Sequence, residues 1–192
     1  MSRTSYYCAS SLDGFIAESD DTIDWLTRYR GSFDGPGAEP GGRGNYERFY
    51  EGVGALVMGS VTYAFVLGEL SGGGDWPYRD KPAWVLTSRQ LPVPEGDGVD
   101  VRLAEADVSE LHDEMLAAAG ERDLWVVGGG NVASQFADAG VLDDVIVTVV
   151  PVVLGHGKPL FDRQLPGGAM QLIRTRTFDS GMVELHYAIR PG

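Results

Sequence analysis

Cysteine is nearly missing: Cys8 is the single thiol in 192 residues. One thiol makes neither an internal disulfide nor a cysteine-rich zinc site, which removes stapled secreted scaffolds and zinc modules together and makes the cytoplasm the expected compartment. Basic residues are scarce as well. Fifteen Lys and Arg against 28 Asp and Glu leave a formal charge of −13, and the only lysines are Lys81 and Lys158. Phosphate backbones and anionic membranes are bound by clustered Lys and Arg, so neither nucleic acid nor a membrane surface is an expected partner. No run approaches the ~20 apolar residues of a membrane span, and the N-terminus lacks the apolar core of a signal peptide. Several catalytic motifs are also absent. There is no Gly-x-Ser-x-Gly elbow and no His-Glu-x-x-His, and Gly155-His156-Gly157-Lys158 runs into Pro159 instead of forming a P-loop. His112, His156 and His186 are far apart in the chain, so no metal site is expected.

What is present suffices for a core, with 43% hydrophobic and 22% charged residues. A chain of this length reads as one domain, residues 1–192. Glycine is in excess, 27 residues, about twice the usual ~7%. Short apolar runs predict strands at 4–9, 55–58, 83–87, 99–103, 124–127 and 145–150. Helical patterns predict helices at 46–51 with Asn45 as N-cap, at 60–67, after Asp107 in a capping-box-like start, and at 131–139. Residues 31–44 hold six glycines and two prolines and read as a loop. Two period-two segments, 171–178 and 182–190, flank the turn Asp179-Ser180-Gly181 and predict an antiparallel hairpin with Val183, Leu185, Tyr187 and Ile189 on one face. The expected fold class is α/β: a mostly parallel central sheet flanked by helices, closed by an antiparallel C-terminal hairpin.

Three strand-to-helix turns carry the chemical signal. Val127-Gly128-Gly129-Gly130-Asn131-Val132 brings bare backbone to the start of a helix, where free N–H groups and the helix dipole favour an anion. A branched side chain at Gly129 is expected to fill the space a pyrophosphate needs and to disfavour any positive φ there. This turn also fits Gly-x-Gly-x-x-Ala, but it comes too late in the chain for a Rossmann domain, and the end of the next strand reads Val149-Val150-Pro151, without the ribose-binding acid. Val57-Met58-Gly59-Ser60-Val61-Thr62-Tyr63 is the second turn. Leu86-Thr87-Ser88-Arg89, the third, groups two hydroxyls and a cation as a 2′-phosphate would require.

With the first-strand loop Ala9-Ser10-Ser11-Leu12-Asp13-Gly14-Phe15-Ile16-Ala17 and the segment Pro151-Val152-Val153-Leu154-Gly155-His156-Gly157, these turns occur in the order and at the spacings of the dihydrofolate-reductase-like fold. Within it the chain resembles the reductase domain of bifunctional riboflavin-biosynthesis proteins, over nearly its whole length. The resemblance implies an NADPH-dependent reductase and a homodimer, with the C-terminal strands a plausible interface. It implies pyrophosphate between Gly59, Ser60 and Thr62 and the turn Val127 to Val132, the 2′-phosphate near Leu86, Thr87, Ser88 and Arg89, and Ala9 and Ile16 beside the nicotinamide. Trp25, Asn45, Phe49 and Thr148 are the candidate substrate lining.

Two departures matter. Members of the family usually carry Arg where this chain has Ser60, and the helix acid of folate reductases aligns with Asn45, which cannot act as a general acid. Asp13 reads as a loop-ordering residue, because Asp-Gly is itself a turn signal. The proton donor stays open, with water one choice. The expected reaction is hydride transfer to a C=N or C=O bond of a small heterocyclic or sugar-derived substrate. The alternative is an NADPH-binding sensor or interaction module without turnover. Riboflavin-pathway chemistry itself would need a cationic site for a substrate phosphate, for which Arg28 and Arg30 are the nearest candidates.

Overall fold

The structure is a computed structural model that describes residues 2–29, 45–71, 73–165 and 167–190. The expected loop at 31–44, Arg30 and Gly72 lie outside the described residues. The elements in chain order are β1 (Thr4–Ser11), β2 (Phe15–Ala17), α1 (Asp24–Thr27), α2 (Asn45–Gly52), β3 (Val53–Gly59), α3 (Ser60–Leu70), β4 (Ala83–Leu86), β5 (Val101–Ala104), α4 (Val108–Ala119), β6 (Asp123–Gly128), α5 (Gly130–Asp138), β7 (Asp144–Val150), β8 (Lys158–Pro159), β9 (Met170–Thr177) and β10 (Val183–Ile189).

Eight strands form one sheet in the order β5-β4-β3-β6-β1-β7-β10-β9, while β2 and β8 pair separately. The six strands from β5 to β7 are mutually parallel. β10 then runs antiparallel to both β7 and β9. The mostly parallel sheet and the antiparallel C-terminal strands are therefore as expected.

Burial follows from that topology. A parallel strand is covered on both faces, so β3 is apolar at almost every position and buried from Val53 to Met58. On one face Tyr6, Val57, Leu124, Val126 and Val145 pack with Met115 of α4 and Phe136 of α5. On the other, Leu56, Met58, Val85 and Trp125 pack with Tyr63 and Val66 of α3, and Phe49 and Tyr50 of α2 lean on the same cluster.

The expected helix starts hold in position, but not all caps do. Asp107 occupies the N-cap of α4 without a side-chain capping hydrogen bond. Asn45 lies within α2 and its amide donates to Glu184 Oε2 at 2.8 Å, 139 residues away in sequence. Tyr187 and Ile189, on one face of the hairpin, pack on the core, and Glu184, on the opposite face, is the buried residue of β10 at 3% exposure. α2 lies over that side of the sheet and excludes water from a carboxylate that strand alternation alone would leave outside.

Candidate active site at the carboxyl edge of the sheet

Parallel strands end at one edge, and there β3, β4 and β6 hand over to α3, to the 87–89 turn and to α5. The edge opens into a cavity of about 950 Å³. Of the expected cofactor residues, Ala9, Ile16, Gly59, Ser60, Thr62, Leu86, Val127, Gly128, Gly129, Gly130, Asn131 and Val132 line it. So does Thr148 of the expected substrate residues.

Two helices point their N-termini into this space. α3 begins after Gly59 and α5 after Gly129, each N-cap is extended backbone, and neither has a side-chain cap. Uncapped N–H groups facing a cavity are ready donors for an anion. Glycine is required here by geometry, though not where the sequence pointed. Gly129 has φ −83°, and the positive φ of the turn lies at Gly128, at +150°. A Cβ on Gly129 would meet only Ile16 Cδ1, at 3.7 Å, whereas one on Gly130 would lie 2.3 Å from the Pro159 carbonyl oxygen. Gly129 therefore leaves room toward the cavity, and Gly130 leaves room for the backbone behind it.

Thr87, Ser88 and Arg89 do not line the cavity wall. Thr87 Oγ1 instead accepts the Arg89 backbone N–H at 3.0 Å, which turns the chain back, and Arg89 Nη2 donates to Ser60 Oγ at 2.8 Å. A guanidinium from β4's turn thus stands at the first residue of α3, where the chain itself carries serine.

Aromatic side chains form part of the remaining wall. Trp125 contacts Tyr46, Phe49, Tyr50 and Tyr78 with ring centroids 5.5 to 6.3 Å apart. Tyr46, Tyr78, Trp125 and Tyr7 face the cavity. Sequence reasoning missed all four, since each reads as an ordinary core aromatic. Burial, helped by the Glu184 charge and opposed by a hydrogen bond with Thr148, pushes the Tyr7 hydroxyl up to about 12, so it stays protonated at neutral pH. The Cys8 thiol, also on the wall, is pushed by burial to about 12 and is not a nucleophile.

Other expected residues go elsewhere. Trp25 is buried with Val150, Phe178 and Met182 in a separate cluster. Asn45 and Phe49 line a smaller second cavity on the far side of Tyr7. Arg28 is exposed and pairs with Asp24. Asp13 does order a loop: Ser11 Oγ donates to it at 2.6 Å, and the Gly155 and Leu154 N–H groups at 2.7 and 3.1 Å. Those donors, Ser11 first, lower its carboxyl to about 2.

The mostly parallel sheet with helices starting at its carboxyl edge and an antiparallel C-terminal pair is a dihydrofolate-reductase-like fold. More narrowly, the chain belongs to the RibD C-terminal domain family, whose description matches residues 75–184. It is 31% identical over 188 residues to YwjB, an uncharacterized protein of Bacillus subtilis (strain 168), covering 96% of this chain and 97% of that one. Among solved structures, a putative riboflavin biosynthesis protein from Shewanella sp. PV-4 superposes with a TM-score of 0.76 at 29% identity, over 98% of this chain and 99% of the other. Enterococcus faecalis dihydrofolate reductase complexed with NADP(H) shares the fold, at a TM-score of 0.57 and 18% identity over 98% and 96% of the two chains.

Proposed function

We propose that this protein is an NADPH-dependent reductase that delivers hydride to a C=N or C=O bond of a small, planar heterocyclic or sugar-derived substrate. The observation that carries the reading is the convergence of two uncapped helix N-termini on one cavity with aromatic side chains in its wall, with the Arg89 guanidinium hydrogen-bonded to Ser60 at the start of one of them. The residues fit the dinucleotide. N–H groups from Gly59 to Thr62 and from Gly129 to Val132 suit a pyrophosphate, and Arg89 suits the 2′-phosphate that distinguishes NADPH from NADH. NADPH, when bound, supplies the hydride.

The chain's part is alignment, exclusion of water and provision of a proton. Tyr46, Trp125 and Tyr78 offer flat faces to a planar ring. Tyr7 presents a protonated hydroxyl and Thr148 a second one beside it, which allows a proton to reach the heteroatom of the reduced bond without a carboxylic acid on α2. We extend the reading to a cytoplasmic homodimer, a reading supported by the single cysteine and by the exposed Met170, Leu172 and Ile173 of the edge strand β9. Among the described residues no helix is long and apolar enough to cross a membrane.

The test is NADPH binding by fluorescence, followed by cofactor oxidation screened over pterins, aminopyrimidine sugars and simple carbonyl compounds. Saturable binding with turnover of at least one class is expected. Binding without turnover of any would favour the non-catalytic sensor, and absence of binding would end both readings.

A further inference from the structure

Two hydroxyls, those of Tyr7 and Thr148, open on the main cavity, and strand pairing sets how they lie. Thr148 of β7 is paired with Ala9 of β1, two residues beyond Tyr7, so the three side chains share one face of the sheet. Glu184 of β10 is directly opposite Thr148 and stands on that same face. Three adjacent strands thus carry a phenol, an alcohol and a carboxylate in a row.

The ends of the row are held from outside it. The Tyr7 ring packs on Phe49 of α2 with centroids 4.4 Å apart, and its backbone carbonyl accepts the Trp125 indole N–H at 3.1 Å. Glu184 is 3% exposed, accepts from Asn45 Nδ2 at 2.8 Å and lies 3.6 Å from Arg174 Nη2. Its carboxylate is thereby fixed in place. Burial and then the Glu184 charge resist loss of the Tyr7 proton, and the hydrogen bond with Thr148 eases it. Of the other titratable groups around the phenol, Cys8 follows it in β1, Tyr46 comes from α2, and Arg48, Arg174 and Arg176 line the space on its far side.

We infer that Tyr7 is the proton donor of the reductase, that Thr148 steadies the phenolate by donating its hydroxyl hydrogen to it, and that Glu184 is a positioning residue whose charge restores the protonated phenol. The inference rests on the reductase reading and names the acid for it. As the carbon of the C=O or C=N bond gains hydride, its π pair moves to the heteroatom, which takes the Tyr7 proton as the phenol O–H bond breaks. Water then returns a proton to the phenolate, so the substrate gains two electrons from the cofactor and one proton from solvent. An alkoxide or amide anion is a far stronger base than a phenolate, so the transfer runs downhill even from a phenol that titrates at about 12.

The first measurement uses the full chain without cofactor. With tyrosine labelled at Cζ, NMR follows the Tyr7 hydroxyl at neutral pH and through alkaline titration, its signal assigned by Tyr7→Phe. Thr148→Val should move the titration to higher pH, Thr148→Ser should leave it near the wild-type position, and Glu184→Gln should move it to lower pH. At neutral pH, where the fold is safe from alkali, Thr148→Val should displace the Cζ signal and Thr148→Ser should restore it. A Tyr7 signal indifferent to both positions would overturn the inference. The second measurement adds NADPH and a substrate class found by the turnover screen. Tyr7→Phe should lower kcat about 10²- to 10⁴-fold with KM and NADPH binding little changed. Thr148→Val should lower kcat about tenfold, the worth of one hydrogen bond, with rescue by Thr148→Ser. Wild-type turnover by Tyr7→Phe would remove the donor and leave the reductase standing. Failure of the wild-type chain to turn over any class while binding NADPH would sink the reductase reading, and the donor role with it.

Discussion

Adjacent glycines in the β6–α5 turn have opposite jobs. A methyl group on Gly129 would point into open cavity, but on Gly130 it would run into the Pro159 carbonyl oxygen at 2.3 Å. Gly129→Ala should therefore keep the wild-type melting temperature and weaken NADPH binding about tenfold. Gly130→Ala should lose roughly 1–3 kcal/mol of stability, since the backbone of β8 must move; chemical denaturation of the two variants checks the contrast. At Arg89 the prediction concerns selectivity. A charge-assisted hydrogen bond contributes about 1.5 to 3 kcal/mol, so Arg89→Ala should weaken NADPH roughly ten- to more than hundredfold and leave NADH nearly unchanged. Parallel titrations of both cofactors read this out, and equal losses would assign Arg89 to the pyrophosphate. The sequence placed this arginine near the site through the Leu86-Thr87-Ser88-Arg89 grouping. Its reach to Ser60, 29 residues earlier, was not legible, because it depends on β3 and β4 lying side by side.

Elements were legible wherever their pattern was local. β3, β4, β6 and β7 are continuous apolar runs closed by small residues, which is how a strand covered on both faces must read. The two helices that open on the site begin where glycine interrupts such a run. What failed was anything set by an element distant in sequence. Nothing local marks Glu184 as buried; its partner Asn45 comes from α2, 139 residues earlier. Trp25 and Phe49 read as substrate lining, and packing puts Trp25 in a separate cluster and Phe49 at the second cavity. The turn after β1 offers a test at this scale. Asp13 ties residues 11–14 to the loop after β7, with its carboxyl lowered to about 2 by Ser11, Gly155 and Leu154. A carboxylate more acidic in the folded chain than its ordinary 3.8 stabilises the fold above that value, and the contribution is lost as pH falls toward 2. Asp13→Asn should thus flatten the fall in melting temperature between about pH 4 and 2 and leave neutral-pH dependence unaltered.

At the scale of the molecule, β9 ends the sheet with one side unpaired among the described residues, and Met170, Leu172 and Ile173 on it are 40, 48 and 54% exposed. An apolar edge strand invites pairing with another chain. The homodimer we propose should elute as a species of twice 20.6 kDa, and Leu172→Lys with Ile173→Lys should return it to the monomer without lowering secondary structure. The sheet order has a further consequence, for time. β1 is made first, yet it sits in the interior of the sheet, with Thr4 paired to Leu124 and Ser5 to Asp144. Neither neighbour exists until some 120 residues more have been joined to the chain, a wait of roughly 6 to 24 s at about 5–20 residues per second. Throughout that interval nascent β1 is an unpaired strand bearing Tyr6, Tyr7 and Cys8. The sheet is thus completed only once β6 and β7 have been made, and a chaperone that holds β1 in the meantime should raise the yield of native chain.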